Sequence, residues 1–265
     1  MLAELIKLQT SDGLSHFGAF YPAEKNPQPL AAVMVHGMTG SFVGEIEGSV
    51  PQMLAQAGFA TVVANNRGYG ILGAATESFA GCIPDIQAAL DFAQARGFER
   101  IALFGHSKGG TKVAYYMTQT VDPRVAGLGV LSPAGGINNV PAFFAPQFGA
   151  RNPEAWIKRA KREAKQGKAE TIYASNKWPF LMSAGMIAEH TNITGDNVLE
   201  NLPKISVPVL AACGSQELDW CIVAKLLHEP PAGMMVEVVE GADHVYTGRE
   251  EQLADLMIRW MKTLV

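Results

Sequence analysis

Three short segments carry residue types suited to acyl-transfer chemistry. The first is Phe104-Gly105-His106-Ser107-Lys108-Gly109-Gly110, a Gly-x-Ser-x-Gly that ends an apolar run (100–105) and opens a stretch of helical period (108–120). A serine at a strand–turn–helix junction adopts a strained backbone that pushes its hydroxyl into the open. The flanking glycines remove side chains that would collide with the neighbouring strand and helix. The helix N-terminus behind it offers free amides and a positive dipole end to a developing oxyanion. Ser107 is therefore the candidate nucleophile, and the backbone N–H of Lys108 a candidate oxyanion donor.

The second segment is VMVHGMTGS, 33–41. His36-Gly37 closes an apolar strand upstream of Ser107, where the N–H of Met38 can supply a second oxyanion donor. His36 itself reads as a residue that orients the loop by hydrogen bonds. The third segment is EGADHVYTG, 240–248, in which His244 follows the last apolar strand and precedes the final helix. Of six histidines, His244 alone follows a strand well downstream of the serine, as a general base should.

These residues need strand ends to hold them, and the chain supplies a rhythm of strands. Short apolar runs at 31–35, 61–65, 100–105 and 125–132 alternate with segments of helical period at 49–57, 79–96 and 108–120. Runs rich in Val, Ile, Leu and Ala without polar alternation suit parallel strands covered on both faces. A hairpin is expected from 2–9 and 16–21 through Ser11-Asp12-Gly13. The rhythm breaks at about Gly135 and returns at 207–214 and 234–241. Leu253, Leu256, Met257, Trp260 and Leu264 then share one face of a last helix. Residues 1–135 and 204–265 are expected to form one α/β core, and 136–203 an inserted, mainly helical lid without a strong strand.

Composition narrows the class further. The chain has 265 residues, 48% of them hydrophobic and 17% charged, with a net charge of −4. Such a chain buries a full core without disulfides or a structural metal, and it lacks the basic excess of a nucleic-acid protein. No apolar run approaches the ~20 residues of a membrane span. The N-terminal residues show no signal-peptide pattern, so the expected address is cytoplasmic. Cys82, Cys213 and Cys221 are expected to be reduced thiols, with a Cys213–Cys221 bridge as the alternative.

Taken with these motifs, the chain resembles the α/β-hydrolase superfamily over nearly its whole length, and more loosely its serine esterases. The His-Gly loop, the Ser107 elbow, His244 and Arg67-Gly68-Tyr69-Gly70 carry the resemblance, although Asn65-Asn66 stand where an Asp often precedes that last turn. It implies a mostly parallel eight-stranded sheet flanked by helices, with the lid inserted after the sixth strand. It also implies a serine hydrolase that cleaves a carboxylic ester of a small or medium apolar compound without cofactor or metal. A hydrolase of a thioester, lactone, amide or carbon–carbon bond, or a non-catalytic binding protein, is the alternative.

The superfamily places its acid three residues after a Gly that ends the seventh strand. That offset from Gly214 falls on Glu217, while Asp219 is the more usual residue type two positions late. Glu217 is favoured as the partner of His244. Asp219 is expected to act as a helix cap and stands as the alternative acid.

Two other patterns fail on their own terms. Gly68-x-Gly70-x-x-Gly73 matches a dinucleotide fingerprint, but Asp91 lies within a helical segment rather than at a strand end. GHSKGGTK would need Lys at 111 to be a phosphate loop, and Thr111 stands there. Phe144 and Trp178 are weak candidates for lining an apolar pocket under the lid, beside Phe143, Trp156 and Phe180. The basic stretch 158–168 reads as a solvated face.

Overall fold

A computed structural model of the chain describes residues 2–133, 135, 140–175, 180–193 and 198–265. The N-terminal hairpin joins β1 (Glu4–Gln9) to β2 (Ser15–Tyr21). Its turn places Gly13 at φ 92°, a conformation that favours glycine. Then come β3 (Leu30–Val35), α1 (Val50–Gln56), β4 (Thr61–Ala64), α2 (Gly70–Thr76) and α3 (Cys82–Ala95). β5 (Arg100–His106), α4 (Lys108–Thr120) and β6 (Val125–Leu131) complete the first part.

The eight-stranded sheet has the order β1-β2-β4-β3-β5-β6-β9-β10, where β9 is Val209–Gly214 and β10 is Met234–Val239. From β4 to β10 every neighbouring pair is parallel, and β2 is antiparallel to both of its neighbours. This is the mostly parallel sheet of an α/β hydrolase.

The apolar runs lack polar alternation because both faces of the sheet are covered. In β3, Val33 and Val35 enter one core with Ile86, Leu90, Val113 and Met117 of α3 and α4. Leu30, Ala32 and Met34 enter the other, with Leu54 of α1. The last helix, α9 (Glu250–Met261), adds Leu253, Leu256, Met257 and Trp260 to that second core, and Leu264 follows beyond its end. Phe104 of β5 meets Trp260 edge-on at 5.5 Å. Successive strands spread outward from β3 in both directions, so the strand order reverses between β3 and β5, whose carboxyl ends are where open α/β sheets place ligands.

Between β6 and β9 the chain forms α5 (Val140–Phe144), α6 (Pro153–Lys165), β7 (Ile172–Ala174), β8 (Leu181–Ser183), α7 (Ala184–His190) and α8 (Val198–Asn201). The segment also holds two short strands that the sequence did not reveal, since β7 and β8 form an antiparallel two-stranded ladder. Strands of three residues are too short to show a period. α2, seven residues holding two glycines, escaped prediction for the same reason. The segment packs on Phe79 with its own apolar cluster of Ala160, Met182, Ala184, Met186 and Ile187. α6 is basic and largely exposed, as its sequence suggests. Among the described residues no helix is long and apolar enough to cross a membrane.

Asp91 lies inside α3 and pairs with Arg124 at 2.6 Å. The glycines of the apparent dinucleotide fingerprint serve their own turn. A Cβ on Gly68 would lie 2.4 Å from a Glu77 oxygen, and one on Gly73 would lie 2.8 Å from the Arg67 carbonyl.

Candidate active site

Ser107 stands between β5 and α4 at φ 53°, ψ −122°, a strained setting for any residue with a side chain. The turn holds because its glycines leave room for backbone. A Cβ on Gly105 would lie 2.2 Å from the Gly109 carbonyl, and one on Gly109 would lie 2.1 Å from the Val35 carbonyl. The Ser107 amide donates to the Leu131 carbonyl at 2.9 Å, which ties the elbow to β6.

His244 comes to this serine from 137 residues away, with Nε2 at 2.9 Å from Ser107 Oγ. Its Nδ1 lies 2.8 Å from Glu217 Oε2. With Nδ1 donating to the carboxylate, Nε2 is left to accept the serine proton. Glu217 is buried in the turn after β9, and its Oε1 accepts the Gly214 amide at 2.8 Å and the Ser132 hydroxyl. Burial alone would raise the carboxyl pKa; the bonds from His244, Ser132 and Gly214 outweigh it and hold the group below its ordinary value. Ser132 Oγ also lies 2.9 Å from the hydroxyl of Tyr246, which is fully buried.

Of the two carboxylates after β9, the structure therefore brings Glu217 to His244. Asp219 is exposed, and its side chain makes no hydrogen bond among the described residues. The expectation that it caps the next helix is corrected, because the short 3-10 helix Ile222–Leu226 begins after Cys221. Trp220 lies beside the His244 ring, with centroids 5.1 Å apart. Cys82, Cys213 and Cys221 are free and buried, so the Cys213–Cys221 bridge is not formed.

The loop after β3 lies against Ser107. A Cβ on Gly37 would fall 2.9 Å from the Ser107 Cβ, so only a glycine lets the chain pass this close before Met38. His36 is buried and spends its ring on backbone: Nδ1 donates to the Gly37 carbonyl at 2.8 Å, and Nε2 accepts the Asn66 amide at 3.0 Å. Burial, with Lys112 nearby, pushes its pKa down to about 4, so the ring is neutral. Asn65 and Asn66 hold the next turn, accepting the Phe42 and Gly68 amides at 3.0 Å each.

Lys108 supplies the first amide of α4 directly behind Ser107. Its side chain turns away into a buried ion cluster, where Lys108 and Lys112 both pair with Glu77. Lys112 Nζ also donates to Asn66 Oδ1 at 2.9 Å. Phe144 is half-buried, its ring 4.9 Å from that of Phe180, and it joins the cluster that includes Met38 and Phe79. Trp178 lies outside the described residues.

Sequence reasoning missed Ser132, Tyr246 and Glu77. The only signal for Ser132 is its place at the end of the apolar run of β6, level with the other strand ends. Tyr246 is two residues past His244, and nothing marks Glu77 as the counter-ion of two lysines.

Residues 27–218 match the family profile described as serine aminopeptidase, S33 (Hydrolase_4). The chain belongs to this family of α/β hydrolases. Solved structures agree on the S33 chain's fold. Est1E from Butyrivibrio proteoclasticus superposes with a TM-score of 0.73 at 20% identity over 98% of each chain, and it has also been solved with ferulic acid bound. A soluble variant of monoglyceride lipase from Saccharomyces cerevisiae, in complex with a substrate analogue, gives a TM-score of 0.71 at 15% identity over 100% of this chain and 96% of its own. No curated protein matches this S33 hydrolase in sequence.

Proposed function

We propose that this S33 hydrolase is a serine esterase that cleaves a carboxylic ester of a small or medium apolar compound through an acyl-enzyme. The observation that carries the reading is the His244 ring suspended between Ser107 Oγ at 2.9 Å and Glu217 Oε2 at 2.8 Å. Ser107 Oγ attacks the ester carbonyl as its proton passes to His244 Nε2, and Glu217 stabilises the imidazolium through Nδ1–H. The amides of Met38 and Lys108 hold the oxyanion. His244 then protonates the departing alcohol oxygen, deprotonates a water, and so releases the acid and regenerates Ser107. No cofactor or metal takes part in these steps.

In this reading residues 136–203 form the lid over the 1–135 and 204–265 core, and Phe144 and Trp178 line the acyl pocket. The structures solved with ferulic acid and with a lipase substrate analogue support a small-molecule, ester-like ligand for this fold. The description of the family as aminopeptidases favours a second reading, amide cleavage by the same three side chains.

A fluorophosphonate probe and two substrate series test both. Labelling at Ser107 that is lost in Ser107→Ala, with turnover of p-nitrophenyl esters, supports the esterase. Turnover of aminoacyl p-nitroanilides in preference to esters supports the amidase. A protein that neither labels nor turns over is a binding member of the fold. Ser107→Ala should reduce turnover by several orders of magnitude, and retention of more than about 10% would sink the nucleophile assignment.

A further inference from the structure

Beside the His244 loop, His106 Nδ1 and the carboxylates of Glu45 and Glu47 converge. His106 Nε2 donates to the His244 carbonyl at 2.8 Å, which leaves the lone pair of a neutral ring on Nδ1. Nδ1 is buried and lies 3.2 Å from Glu45 Oε2, without the alignment of a hydrogen bond. Glu47 is 1% exposed, and neither of its carboxylate oxygens has a hydrogen-bond partner. One ligand atom from each of these three residues falls within 4.8 Å of the other two.

A buried carboxylate without a partner is rare in a folded protein, and an unseen ion is one of its few explanations. A proton on Nδ1 would answer Glu45 and leave Glu47 as it stands. A divalent cation answers all three groups, and its charge cancels that of the two carboxylates.

We propose that Glu45, Glu47 and His106 Nδ1 bind one divalent transition metal, zinc or manganese, at the junction of the β3 loop, the elbow and the His244 loop. Imidazole with two carboxylates suits these ions, whereas calcium and magnesium prefer oxygen alone. The bond from the far ring nitrogen of His106 to a backbone carbonyl is the outer-shell contact that orients ligating histidines. Zinc bonds of about 2.0–2.2 Å place ligand atoms up to about 4 Å apart, so the three groups need only a small closure. Glu45, 36% exposed at its side chain, can make that movement and opens the entry path. The metal would pin the His244 backbone to the loop that begins at His36, without touching Ser107.

Metal uptake tests this whether or not Ser107 turns over esters. The full chain is stripped with a chelator and dialysed against Zn²⁺ or Mn²⁺, and bound metal is quantified by mass spectrometry. Affinity is measured by calorimetry, with circular dichroism as the folding control. Wild type should take up a single equivalent of at least one of the two ions and melt at a higher temperature with it bound. Glu45→Gln and Glu47→Gln should each weaken binding by more than about tenfold. Glu47→Gln keeps the shape of a side chain that has no hydrogen-bond partner, and Glu45→Gln changes an exposed one, so at least one folded variant is available. Cys221→Ser should bind as wild type does, which separates this site from the neighbouring Cys213, Glu217 and Cys221. Absence of uptake of both ions, uptake that survives either glutamine substitution in a folded variant, or uptake lost in Cys221→Ser would overturn the proposal.

Discussion

Ser132 gives its hydroxyl hydrogen to Glu217 on Oε1, while His244 is held by Oε2 of the same carboxylate. The bond favours the charged form of Glu217, which is already held below the ordinary carboxylate range. Its contribution to stability is therefore complete above the unfolded-state pKa of about 4.3 and fades as the pH falls through the lower folded-state value. Ser132→Ala should lower stability by about 1–3 kcal/mol at pH 7, as expected for a hydrogen bond to a charged group. Urea denaturation at neutral pH and near pH 3 checks this, and a gap that widens on acidification would refute it.

The two acids after β9 are separable by isosteric substitution. Glu217→Gln should lower kcat by roughly 10²–10⁴-fold, because a neutral amide no longer fixes the tautomer of His244 or stabilises its charged form. Asp219→Asn should change kcat by less than about twofold and stability by less than about 0.5 kcal/mol, as for a surface position without partners. Steady-state kinetics on one ester decides, and an inactive Asp219→Asn with an active Glu217→Gln would reverse the assignment.

The sheet was legible because its strands are buried on both faces and so read as unbroken apolar runs. The last helix was legible because Leu253, Leu256, Met257 and Trp260 repeat at helical spacing on one core. The elbow announced itself through glycines that the turn physically requires. The carboxylate that meets His244 was only half legible. Glu217 and Asp219 share a loop, and what decides between them is a turn that buries one and exposes the other. Ser132 and Glu77 were illegible because their partners lie far away in sequence; Ser132 and Glu217 are 85 residues apart.

Phe144 offers a test of the proposed lid. It packs with Phe180 and with the cluster that includes Met38. If it lines the acyl pocket, Phe144→Ala should shift preference toward longer chains by more than about fivefold in kcat/KM. A half-buried ring should cost less than the ~3–5 kcal/mol typical of a fully buried Phe→Ala change. A series of p-nitrophenyl esters with a melting curve measures both. Unchanged preference with a large loss of melting temperature would return Phe144 to plain packing.

The Glu77 cluster makes the sharpest stability prediction. Glu77, Lys108 and Lys112 are each no more than 2% exposed, and one carboxylate faces two ammonium groups. Burial alone would raise the Glu77 pKa, but Lys108 and Lys112 hold it far below the ordinary range. Breaking such a pair leaves uncompensated buried charge, so Glu77→Gln should cost about 3–5 kcal/mol at pH 7. A depressed carboxylate contributes fully above its unfolded-state pKa of about 4.3 and loses that contribution as the pH falls toward the folded-state value. The gap to wild type should hold constant from pH 7 to about pH 5 and narrow below about pH 4. Lys108→Met should cost less than Glu77→Gln, because it leaves Glu77 matched one-to-one with Lys112, whose Nζ keeps its bond to Asn66. Denaturant titrations of the three proteins across this pH range measure both orderings. A Lys108→Met variant less stable than Glu77→Gln would show that packing of the lysine stem, rather than the charge it carries, is what the cluster contributes.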